Sequence, residues 1–252
     1  MTATLAVLEY HLVSYRRIWR SSLLTSFVLP LLTMVGFGLG VGAYVTRGVG
    51  GVPYLDWLVP GLIASTAMQV GIGDSTWAVL GGFEWRRIYF GQAAAPLRVA
   101  DIVAGHLAYV LFRVLTSAGA FLLITTAFGV MRSWWAVAVL PVAGLVGLAV
   151  ATPTFAYSAS VTSDSYLAII MRLGVLPMSL FSGVFFPVTQ LPAVLRWVAY
   201  ALPLWHAVDL SRAATLGVAP DWPVAAHLAY LAVWVVAGWF LAVRAFALRL
   251  TV

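Results

Sequence analysis

Apolar runs long enough to cross a bilayer recur along this chain, and a sequence built that way cannot take water as its only solvent. In helical form, about 20 apolar residues cover the ~30 Å hydrocarbon layer. Six stretches meet that length: Leu23 to Val45, Leu55 to Leu80, Val110 to Val130, Trp134 to Val161, Tyr166 to Phe186, and Val224 to Val243. Only 9% of the 252 residues are charged, against about 25% in soluble domains. That is too few to coat a globule with solvated groups. The expected fold is all-α and integral to the membrane: a single domain over residues 1–252 with six transmembrane helices, no internal repeat and no low-complexity tract.

The segments flanking these runs carry their own patterns. Ahead of the first, Leu5, Leu8, Leu12, Tyr15 and Trp19 recur at steps of three and four, with Glu9, His11, Ser14, Arg16, Arg17 and Arg20 on the other faces. This predicts an amphipathic helix over 1–22 lying in the membrane interface. Residues 83–109 form a long polar connection holding Glu84, Arg86, Arg87, Arg98 and Asp101. Residues 187–223 are apolar but broken at Leu202-Pro203-Leu204, and each half is too short to span. Two short helices dipping into the outer leaflet are expected there, with their non-helical backbone shielded by protein.

Arginine placement sets the orientation. Arg16, Arg17, Arg20, Arg86, Arg87, Arg98, Arg244 and Arg249 fall on one side, and Arg47, Arg132, Arg196 and Arg212 on the other. The excess marks the first side, which holds both termini, as cytoplasmic. Arginine without lysine, beside abundant Ala, Val and Gly, fits a GC-rich bacterial genome, so the expected location is the bacterial cytoplasmic membrane.

Several chemistries are excluded by composition. The absence of cysteine removes disulfides, thiolate metal sites and a cysteine nucleophile. All 14 basic residues are arginine, so the chain lacks the lysine of a Walker A loop. ATP, if used, is hydrolysed by another polypeptide. His11, His106, His206 and His227 have no metal-pair spacing, and no catalytic residue is assigned. The histidines are expected in structural or interfacial roles, although His206 and Asp209 share a helix face and leave a membrane enzyme as a remote alternative. Gly36/Gly40 and Gly38/Gly42 are small-xxx-small pairs suited to close helix packing.

Charges within apolar runs are costly in lipid. Asp74, Arg113 and Arg172 have two readings: side chains snorkelling to the cytoplasmic interface, or the polar lining of a pathway near its inner mouth. A secondary transporter coupled to ions through Asp74 and Arg113 is a further alternative.

Three stretches resemble the ABC-2 type permeases, the membrane subunits of one class of ABC exporters. The likeness is greatest to permeases of nodulation-factor, or lipooligosaccharide, exporters. The first stretch is Tyr54-Leu55-Asp56-Trp57-Leu58-Val59-Pro60-Gly61-Leu62-Ile63-Ala64. The second is Ala95-Pro96-Leu97-Arg98 with Asp101-Ile102-Val103-Ala104-Gly105. The third runs from Leu180-Phe181-Ser182-Gly183 through Phe186-Pro187, Gln190-Leu191-Pro192 and Leu202-Pro203-Leu204 to His206, Asp209, Leu210 and Arg212.

The resemblance implies a permease dimer, of two copies or of one copy and a paralogue, bound to two ATPase subunits that hold ATP and Mg²⁺. No cofactor, metal or nucleic acid is expected on this chain. It implies a cytoplasmic coupling helix between spans two and three, with Glu84, Arg86, Arg87, Arg98 and Asp101 contacting the ATPase. At the outer end it implies a re-entrant gate around Phe185, Phe186, Pro187, Pro203, His206, Asp209 and Arg212. Its apolar surroundings, including Trp197 and Trp205, suit an amphipathic substrate such as a glycolipid, a lipooligosaccharide or a hydrophobic drug.

Overall fold

The computed structural model describes residues 3–45, 48–130 and 133–251. Arg47 and Arg132, both counted above on the outer side, lie outside the described residues. The described chain is helical, its only other pairing a single bridge between Val49 and Val52. Eleven α-helices follow in order: α1 (Ala3–Val35), α2 (Tyr54–Ser75), α3 (Trp77–Glu84), α4 (Ile88–Ala93), α5 (Val99–Ala127), α6 (Val139–Ser160), α7 (Ser165–Ile169), α8 (Leu176–Phe181), α9 (Ala193–Tyr200), α10 (Pro203–Leu216) and α11 (Val224–Leu250). Wider π turns extend α1 over Gly36–Val41 and join α7 to α8 over Ile170–Val175.

Among the described residues, four helical segments are long and apolar enough to span: Tyr54–Glu84, Val99–Ala127, Trp134–Ser160 and Val224–Leu250. A shorter apolar segment, Ser165–Phe181, corresponds to the expected fifth span. α2 sits at the centre, most of its residues buried against α5, α6 and α10, whereas α11 buries few of its residues and lies at the rim.

Two boundaries differ from the sequence reading. The helix expected over 1–22 is not a separate element, because α1 continues unbroken to Val35. No glycine or proline interrupts it before Pro30, so nothing ends the first helical run. Its protein-facing side is carried by residues outside the apolar stripe. Val7 and His11 are buried, while Leu5 and Trp19 of the predicted apolar stripe are exposed. α1 packs on α5 in this stretch, Val7 against Gly105 and His11 against His106. The second correction concerns the connection drawn over 83–109. α5 begins at Val99, where the Asp101 carboxylate accepts from the Arg98 backbone N–H (3.3 Å) and caps the helix. Residues 85–98, with the short α4, are all that separates α3 from α5.

Small residues set how closely helices approach. α11 meets α6 at Gly238, where a Cβ would lie 2.2 Å from Thr152 Oγ1 and 2.7 Å from Pro153 Cδ. Of the predicted glycine pairs, Gly38 faces Leu55 of α2, whereas Gly36 and Gly40 face open space within the chain. Gly238→Ala should destabilise the detergent-solubilised protein by about 1–3 kcal/mol through overpacking. Gly73→Ala, where a Cβ meets nothing within 4 Å, should stabilise by roughly 0.5–1 kcal/mol. Thermal unfolding of both variants against the parent checks the opposite signs.

Candidate transport site

The predicted functional residues fall into three groups along the helix axes. At the end that carries α4, Arg86, Arg87 and Arg98 are exposed. Arg87 takes a left-handed conformation (φ 50°) between α3 and α4, a strained turn for a non-glycine residue that aims α4 across the end of the bundle. The two acids in this group are engaged within the chain. Glu84 pairs with Arg249, while Asp101 accepts from Thr4 Oγ1 at 3.0 Å as well as capping α5. Arg249 also donates through Nη1 to the carbonyls of Ala159 and Val161, both at 2.8 Å, and stands 4.5 Å over the Phe83 ring. It thereby satisfies the open carbonyl end of α6. This role is not legible in the sequence, since Arg249 and Ala159 lie 90 residues apart.

About four turns along α5 from its start, Asp74 of α2 and Arg113 of α5 meet, with Nε 3.1 Å from Oδ2. Tyr15 of α1 lies beneath the guanidinium at 5.1 Å. Arg113 is only 6% exposed, so snorkelling does not describe it: its charge is matched inside the fold. Nη1 of Arg113 is buried without a partner among the described residues. Arg172, on the π turn between α7 and α8, is exposed and takes no part in this pair.

At the opposite end, α8 stops and residues 182–187 leave helical geometry, Gly183 adopting φ +78°, a conformation open to glycine at little cost. Arg212 of α10 binds this unwound stretch. Its Nη2 donates to the carbonyls of Gly183 (2.5 Å) and Val184 (3.3 Å), and its Nε to Trp57 O (3.1 Å). The guanidinium also stacks 3.5 Å over the Trp57 ring. The Tyr54 hydroxyl donates to Phe185 O (3.0 Å), and the Phe185 ring meets Phe37 at 4.8 Å. Phe185, Phe186 and Pro187 are half-buried, while Pro203 is buried at the first turn of α10.

His206 and Asp209 do not bond to each other directly. His227 of α11 lies between them: its Nδ1 is hydrogen bonded to His206 Nδ1 at 2.8 Å, while its Nε2 stands 3.1 Å from Asp209 Oδ2 without a hydrogen bond. His206 Nε2 donates to Tyr200 O at 3.0 Å, so in a neutral ring its Nδ1 accepts from His227. The Asp221 backbone N–H donates to Asp209 (2.8 Å). Burial, followed by the Asp209 charge, raises the Asp221 pKa. Trp197 is exposed, whereas Trp205 is buried against Tyr200 and Trp222. Trp205 therefore belongs to the packing of α10, and of the two tryptophans only Trp197 is exposed.

Loss of one partner from the intramembrane pair has a defined cost. Asp74→Ala should destabilise by about 3–5 kcal/mol, because Arg113 is left buried and uncompensated, while Asp74→Leu combined with Arg113→Met should recover most of that loss. Unfolding midpoints of the single and double variants measure the difference.

Comparison with known proteins gives a consistent likeness. The sequence profile of the family described as "ABC-2 type transporter" matches residues 2–216. The chain is 31% identical over 246 residues to Nodulation protein J of Rhizobium leguminosarum bv. trifolii, covering 98% of this chain and 93% of the relative. Nodulation protein J of Sinorhizobium fredii is 31% identical over 247 residues, with the same coverages. That of Rhizobium meliloti is 28% identical over 246 residues, again covering 98% and 93%.

Proposed function

Because this chain belongs to the ABC-2 type transporter family, a family of membrane-embedded transport subunits, we propose that it is the permease of an ATP-driven exporter energised by a separate ATPase. The observation that carries this reading is the family match across most of the chain. The chain has no lysine for a Walker A loop, so the energy comes from a partner. In this reading α4 is the coupling helix, and the exposed Arg86, Arg87 and Arg98 fix the register of an ATPase docked at that end. That end is cytoplasmic, both termini lie there, and the membrane is the bacterial inner membrane.

The pathway runs past the Asp74–Arg113 pair, where the unpartnered Arg113 Nη1 offers a donor to polar cargo, and leaves by the segment that Arg212 holds around Gly183. Arg172 lies beside the path near its inner mouth. Phe185, Phe186, Pro187, Pro203, His206 and Asp209 complete the outer gate. The likeness to proteins named Nodulation protein J and the apolar outer segment support an amphipathic cargo, a glycolipid or lipooligosaccharide. A second permease copy covers the exposed faces of α1 (Val28, Leu32, Val35) and of α7–α8 (Ile169, Leu173, Leu176, Leu180), together with the open glycines Gly36 and Gly40.

Reconstitution with the ATPase subunit in proteoliposomes tests the reading. Transport of a lipid-linked oligosaccharide should require ATP, and Arg86→Glu with Arg87→Glu should weaken ATPase association by about tenfold. Cargo moved without nucleotide, on an ion gradient alone, would overturn the proposal and assign the energy to Asp74 and Arg113.

A further inference from the structure

The largest fully buried side chain described in this protein, Tyr89, belongs to one of its shortest helices. Tyr89 is the only buried residue of the six in α4. Its hydroxyl is hydrogen bonded to His106 Nδ1 of α5 at 2.7 Å. The ring packs on Phe83 of α3 (4.6 Å) and Phe246 of α11 (5.0 Å). His106 in turn touches Phe155 of α6 (4.9 Å) and stacks on His11 of α1 (4.0 Å). One side chain of α4 therefore reaches a cluster fed by five other helices.

The contacts within this cluster differ in what they fix. Aromatic and aliphatic surfaces slide over one another at little cost, because dispersion is weak and non-directional. A hydrogen bond between two buried groups sets both depth and rotation, since parting them strands a hydroxyl and a ring nitrogen away from water. On either side of α4 the chain is exposed and short of such ties: Arg87 in its left-handed turn before it, residues 94–96 after it. Without the Tyr89–His106 bond, α4 would shift on these connections and the spans would stay behind.

We propose that Tyr89 is a positioning residue that, through His106, makes α4 move as one body with the adjoining ends of α1, α5, α6 and α11. Force applied to α4 is thereby delivered to the spans and is not absorbed in the loop. The inference rests on the reading of α4 as the element an ATPase pushes, but the rigid-body claim can be tested apart from it.

The full complex in proteoliposomes gives the first test, with ATP hydrolysed and cargo moved measured in the same vesicles. Tyr89→Phe keeps the ring and removes the oxygen. Transport per ATP should fall about tenfold, the scale of one buried hydrogen bond, while hydrolysis continues. Tyr89→Phe with His106→Phe removes both polar atoms, so it should restore thermal stability and leave the ratio low. A purely structural role would move stability and not this ratio. An unchanged ratio in either variant, once assembled with the ATPase, overturns the proposal.

The chain has no cysteine, which permits a second test on the permease by itself. Spin labels at Gly91→Cys and Arg244→Cys should report one narrow distance in the parent and a broad one with Tyr89→Phe. A broad parent distribution also refutes the single body. If the parent complex moves no cargo with ATP, the transport reading fails, and the label distances still decide the role of Tyr89.

Discussion

In a medium that offers no hydrogen bonds, a guanidinium drawn into the fold holds together whatever satisfies it, and three arginines, one buried and two half-buried, tie helices together in this way. Arg113 ties α5 to α2 through Asp74. Arg212 ties α10 to α2 and to the carbonyls freed where the chain unwinds at Gly183. Arg249 ties α11 to the end of α6 and to Glu84 of α3. Apolar contact between helices is a weak organiser in lipid, because lipid tails are as apolar as leucine. The directional bonds of these arginines therefore decide which helices are neighbours and at what depth.

The same constraint explains where irregular backbone is tolerated. Residues 182–187 lose helical hydrogen bonds, which is permissible at membrane depth only if protein supplies substitutes. Arg212, Tyr54 and the Trp57 ring supply them. Close by, His206 and His227 link α10 to α11, and Asp209 draws in the backbone at Asp221. The segment around Gly183 together with α10 is thus a cross-braced unit set on the central helix α2. At the other end of the bundle the bracing is aromatic and centred on Tyr89. Between the two ends, Asp74 and Arg113 form the ion pair described.

Hydropathy and charge by themselves determined that this chain lives in a membrane, that it is helical, where most spans lie, and that it lacks the lysine needed to hydrolyse ATP through a Walker motif. The family likeness was carried by particular stretches such as Tyr54 to Ala64, and the family match spans residues 2–216. These properties are local: an apolar run either is or is not long enough to cross, whatever the rest of the chain does.

Tertiary structure alone decided the partnerships. Asp74 and Arg113 stand 39 residues apart, and His227 of another helix lies between His206 and Asp209. Which side chains meet protein was likewise not legible: Val7, His11 and Trp205 are buried, while Leu5 and Trp19 are exposed. A soluble helix announces its buried side by an apolar stripe, but a spanning helix is apolar all round, so the azimuth that picks neighbours leaves little trace in its residues. It is set where polar groups on remote helices meet, and that meeting exists only in the folded chain.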